Sequence, residues 1–113
     1  MGISLSTTLP ASFDDAAQRT REALATQGLG VLTEVDVKAT LKNKLGEDIE
    51  DYLILGACNP QFAHQAVNVY RQVGLPMPCN VVVRGEPGSS STVIVDAVDP
   101  LLLVEMAGQP GLR

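Results

Sequence analysis

Cys58, Asn59 and Pro60 place a thiol, a side-chain cap and a preformed first helical residue in three consecutive positions. Asn is a preferred N-cap and Pro is favoured at the first helical position, so a helix is predicted to start here. Cys58 then lies beside free helix N–H groups and the positive end of the helix dipole, a setting that favours a thiolate. It is a candidate nucleophile, redox thiol or soft-metal ligand. The competing reading is an inert buried thiol, since unreactive Cys is among the most buried residue types. Cys79 is the second thiol, but a helix over 60–73 is about 20 Å long and carries the chain to the opposite end of the sheet. The linker 74–78, at about 3.5 Å per residue, barely climbs back, so Cys79 is expected far from Cys58 and unbonded to it.

His64 is the only histidine, and with Cys58, Cys79, Glu34 and Asp36 it completes a set of suitable metal-ligand types. Their spacing lacks the close pairs of a structural zinc site, so no metal site is assigned. Gly28 and Gly30 follow a helix and precede a strand, the reverse of the strand-to-helix order a phosphate loop needs. Ser89, Ser90 and Ser91 sit in a polar connection with no His or acid placed to activate them.

The elements that position these residues follow from periodicity and caps. Ile3, Leu5, Thr7 and Leu9 alternate with smaller polar residues and read as a first strand. The same stretch meets the N-terminal acylation pattern only loosely, through Gly2 and Ser6. Ser12 caps a helix from Phe13, with Asp15 three positions on, and Gly28 ends it. Leu29, Val31, Thr33 and Val35 alternate as the inner face of a second strand, with Glu34 and Asp36 on its other face. Asp36 caps a short helix carrying Val37, Leu41 and Leu45, which Gly46 stops. Tyr52–Leu55 is a continuous apolar run, as in a central strand. The helix from Pro60 turns Phe62, Ala63, Ala66, Val67, Tyr70 and Val73 toward the core and His64 away from it. Residues 80–84 and 92–98 form a hairpin across the Gly-rich connection 85–91. Asp99 and Pro100 start a closing helix over 101–106, and 108–113 is a frayed tail.

The predicted order is therefore β-α-β-α-β-α-β-β-α. It implies an α+β fold, a two-layer sandwich with a mixed sheet of about five strands and helices packed on one face. The other face needs cover, which a second subunit supplies.

At 113 residues the chain has the size of one domain, taken as 1–113, with one core. Apolar residues make up 45% and charged residues 19%, an ordinary globular balance. With two Phe, two Tyr and no Trp, the core rests on aliphatic packing. The acidic net charge of −5, with scattered basic residues, gives no electrostatic support for nucleic acid binding. No apolar run approaches the roughly 20 residues a membrane span requires, and no secretion signal is legible, so a cytoplasmic location is the default expectation.

Cys58, Asn59, Pro60, Ala63 and His64, followed by Pro78, Cys79, Asn80 and Val81, resemble the domain-of-unknown-function 302 family. The resemblance runs from about residue 12 to 100. It takes in Ser12, Phe13, Ala16, the stretch from Gly30 through Glu34 and Asp36 to Leu41 and Gly46, and Asp99 with Pro100. It implies an α+β domain that is often a homodimer, and it points to Cys58, Asn59, Pro60 and Cys79 as recurring motif residues. It implies no reaction.

The leading functional expectation is a dimeric small-ligand-binding or regulatory module with its site at the Cys58-Asn59-Pro60 helix start. The alternatives are a thiol-dependent enzyme or redox protein, or a soft-metal-binding protein. In the enzyme reading Cys58 is the nucleophile, the N–H groups of 59–62 stabilise negative charge, and His64 or Asp36 handles protons. No cofactor is assigned.

Overall fold

The computed structural model describes residues 4–74, 79–89 and 91–98. The closing helix expected over 101–106 and the tail 108–113 lie outside them. Five strands and three α-helices follow one another as β1 (Ser4–Pro10), α1 (Phe13–Thr26), β2 (Gly30–Asp36), α2 (Val37–Leu45), β3 (Tyr52–Cys58), α3 (Pro60–Val69), β4 (Cys79–Gly85) and β5 (Thr92–Val98), with a 3-10 turn at Arg71–Gly74.

Local chemistry starts and stops these helices. Ser12 Oγ accepts from the Asp15 backbone N–H at 3.2 Å, and Asp36 Oδ1 accepts from Ala39 N–H at 2.9 Å. Each satisfies one of the N–H groups a helix start leaves open. Gly46 ends α2 at φ 70, and Gly28 follows α1 at φ 77, a left-handed backbone that glycine adopts without a Cβ clash.

The strands form one sheet in the order β1-β5-β4-β3-β2, and every pairing is antiparallel. The expected mixed sheet is thus an antiparallel one. The physical reason lies in the connections: β3 and β4 are neighbours in both sequence and space, so the chain reverses between them and needs no parallel crossover. Because β1 and β2 are opposite edges, α1 has to cross the sheet, and it touches β2, β4 and β5 on the way.

Residues directly opposite each other in a ladder share a face. Leu55 faces Val81, which faces Ala97, and Leu53 faces Val83, which faces Val95. These residues and Val93 pack against Ala16 and Ala17 of α1, with Leu9, Phe13, Leu24 and Val31 around them, and form the core. Val81 and Val83 are buried while Val82 and Arg84 between and after them are only half-buried. The layer formed by α1 therefore lies on one side.

Two local expectations change. A register shift between Val31 and Thr33 bulges β2 and breaks its alternation. Val31 consequently shares the core face with Glu34, while Val35, expected beside it, lies on the other face and is 45% exposed. Helix α3 ends at Val69, and Ala63, Ala66 and Val67, expected to face the core, are half-buried and outside the main cluster. Its principal packing is on the 3-10 turn that follows it.

Candidate functional site

The apolar run of β3 continues past Leu55 through Gly56 and Ala57, and it ends with Cys58 buried at 6% exposure. The Asn59 carbonyl then accepts from Ala63 N–H at 2.9 Å, which opens the first turn of α3 with Pro60 in its first position. Pro has no N–H to satisfy there, and its fixed φ suits the helix. The Cys58 thiol donates to the Asn59 carbonyl, with sulfur and oxygen 3.6 Å apart.

Two further segments meet this corner. Gly30 pairs with Cys58 across the β2–β3 ladder, and a Cβ on Gly28 would stand 3.5 Å from Asn59 Nδ2. On the other side, Cys79 stands directly opposite Ala57 in the β3–β4 ladder. Cys79 therefore begins one rung from Cys58, and its expected placement at the far end of the sheet is wrong. Helix α3 has 10 residues and does not run the length of the sheet, so the chain re-enters β4 at the end where it left β3.

Both cysteines are free. What separates them is the pleat: Ala57 and Cys79 share a face, so Cys58, the next residue on β3, points to the opposite one. Cβ vectors on opposite faces cannot be bridged without moving backbone. Burial pushes the Cys79 thiol up, and the neighbouring Cys58 adds to the effect.

Asp36 stays apart from this corner. Asp36 pairs with Leu53, five residues from Cys58 along β3, or about 17 Å at the usual rise of a strand. Its carboxylate is the cap of α2, so the proton-handling role expected for it has no geometric basis. His64 is exposed on α3, with its Nε2 3.2 Å from Asn68 Nδ2 one turn on. Glu34 is held by Arg21 across α1 and β2 at 2.6 Å. Among the described residues no three His, Cys, Asp or Glu side chains come together as metal ligands.

The sequence reading overlooked a second polar constellation. On the face opposite the core, Ser6 donates to Asp96, and Arg84 Nε donates to Asp96 Oδ2 at 2.8 Å. Arg84 and Asp96 are 29% and 20% exposed, which sets them apart from the looser surface pairs. The only sequence signal was a charge of each sign inside an apolar strand. Hydrogen bonds from Ser6 and then Arg84 hold the Asp96 carboxyl below the usual carboxylate range, against an opposing effect of burial. A depressed folded value means its stabilisation is complete above the ordinary value of about 3.9 and is lost as pH falls through the folded one. Asp96→Asn should therefore be less stable than the parent in urea at pH 7. The gap should close on acidification below about pH 4; a gap independent of pH would contradict this assignment.

On the core face, a groove of ≈ 490 Å³ runs between α1 and β1, β5 and β4, lined by Leu9, Ala23, Leu24, Val81, Val95 and Ala97. Val81 is the next same-face residue after Cys79, so the groove and the cysteine corner share one end of the sheet.

The family model for the domain of unknown function DUF302 matches residues 5–113. The chain belongs to the DUF302 family. A crystal structure of an uncharacterized conserved DUF302 protein from Bacillus stearothermophilus matches with a TM-score of 0.82 and 31% identity, covering 99% of this chain and 85% of that one. No curated protein matches the chain. Membership supports the α+β architecture, and the ladder of this DUF302 chain brings Cys58, Asn59, Pro60 and Cys79 to one sheet end. Among the described residues of this DUF302 chain, no helix is long and apolar enough to cross a membrane.

Proposed function

We propose that this DUF302 domain is a small-ligand-binding or regulatory module that works as a homodimer, with its ligand taken up at the Cys58-Asn59-Pro60 corner. The supporting observation is convergence: Gly28–Gly30, Cys58–Pro60 and Cys79–Asn80, separate in sequence, meet at one end of the sheet. Gly28 holds a left-handed backbone at φ 77 beside Asn59, a conformation that other residues rarely adopt. Catalysis is less well supported, because Asp36 is at the other end of the sheet and His64 hydrogen-bonds within its own helix.

Thermal shift against a panel of small metabolites tests the binding reading. A ligand at 100 times its Kd adds about 2.7 kcal/mol, and the gain should disappear in Asn59→Ala and Cys58→Ser. A shift retained in both variants would move the site elsewhere. Iodoacetamide labelling separates binding from thiol chemistry. Folded protein should label slowly at Cys58, which is buried, and at Cys79 only under conditions more alkaline than a free thiol needs. Fast labelling of Cys58 at neutral pH, lost in His64→Ala, would favour the thiol enzyme.

A further inference from the structure

We propose that two copies of the chain meet through the sheet face that α1 leaves bare, with Ile54, Val82 and Ile94 at the centre of the contact and the Arg84–Asp96 pair beside them. This rests on the homodimer reading above and adds to it the surface and the residues.

One row of the ladder crosses all five strands on that face: Val35 pairs with Ile54, Ile54 with Val82, Val82 with Asp96 and Asp96 with Ser6. The adjacent row runs from Tyr52 through Arg84 and Ile94 to Thr8. The apolar members thus form a contiguous block across β2, β3, β4 and β5. They keep partial exposure, whereas Leu55, Val83 and Val93 on the α1 face are 0–2% exposed. The residues making up the core cluster include none of Ile54, Val82 and Ile94.

Charge selects the occupant. A chain of net charge −5 repels its own copies in general, yet the two rows carry one Arg and one Asp, already joined at 2.8 Å. A two-fold axis through such a patch brings the Arg84 of each copy toward the Asp96 of the other, so the surface is complementary to itself. An acidic or a basic partner would leave one of the two charges opposed. Size also fits. Five strands at about 4.8 Å spacing and seven residues at about 3.4 Å rise span roughly 24 by 24 Å, a footprint whose accessible area approaches the standard ~800 Å² per partner. Burial of its apolar members, at about 25 cal/mol per Å², is the favourable contribution that works against the cost of association.

Light scattering at micromolar concentration should give the mass of a dimer for the parent chain. Val82→Glu and Ile94→Glu replace half-exposed side chains, so each should keep a cooperative thermal transition while falling to monomer mass. Arg84→Glu should weaken association at least about tenfold by setting two acids side by side, and the swap Arg84→Asp with Asp96→Arg should restore it. A parent that is monomeric at every concentration would overturn both the homodimer reading and this inference. A dimeric parent whose folded variants also stay dimeric would overturn the surface alone. Should a variant fail to fold, bleaching of methyl signals by a soluble paramagnet decides on the parent protein. Protection of Ile54, Val82 and Ile94 that appears only on concentration supports the contact, and protection already complete in dilute monomer means the chain covers the face itself and overturns it.

Discussion

Leu55→Ala is expected to cost about 2–5 kcal/mol, the range for removing a buried Leu whose surroundings relax only in part. Leu55 is fully buried at the middle of β3, facing Val81 on one side and Glu34 on the other, beneath Ala16 and Ala17. The β3 backbone is held by ladders on both sides, so the neighbours have little freedom to close the cavity. Against a total stability of about 5–15 kcal/mol, such a loss is a large fraction. Urea unfolding should show a lower midpoint with an unchanged slope, because the surface exposed on unfolding is nearly the same. A midpoint indistinguishable from the parent would mean that α1 does not press on this strand as described.

The opposite change at the facing surface should be comparably severe. Ala16 is fully buried and Ala17 is 3% exposed, and two small residues side by side are what let α1 approach the sheet closely. Ala16→Leu has no space to enter, and overpacking of this kind costs about 1–3 kcal/mol or more. Helix propensity does not confuse the result, since Leu is nearly as good a helix former as Ala. Displacement of α1 should also loosen the Arg21–Glu34 pair that ties the helix to β2. Thermal unfolding checks the first effect. Exchange of amide protons in α1 checks the second, with faster exchange expected there and unchanged exchange in α2, which is attached elsewhere.

Much of the local structure was legible in the residues. Ser12 before Phe13, Asp36 before Val37 and Asn59 before Pro60 mark three helix starts, and each helix begins at the residue so marked. Thr92–Val98 is a strand to the residue, and the hairpin across the Gly-rich connection forms as expected. These features depend on side chains within one turn of the backbone they satisfy, so their information is local. The candidate thiol corner was legible for the same reason. Its partner was not. Cys79 was misplaced because the position of a strand depends on how far the preceding helix travels, and α3 is short and packs mainly on its own 3-10 turn. The bulge in β2 was equally hidden, since it is defined by two residues of one strand opposing one of another.

The composition, the caps and the apolar runs of this chain by themselves determined an α+β protein with this order of elements, and they singled out Cys58, Asn59 and Pro60 as its most chemically distinctive stretch. Only the tertiary structure decided the order β1-β5-β4-β3-β2, the single face that α1 covers, and the meeting of the Cys58–Asn59 corner with Gly28, Gly30 and Cys79. It also joined Arg84 to Asp96 and Ser6 across three strands. Caps and periodicity act over a few residues, whereas strand partners and charge pairs are settled by which distant segments can close a ladder while burying one face.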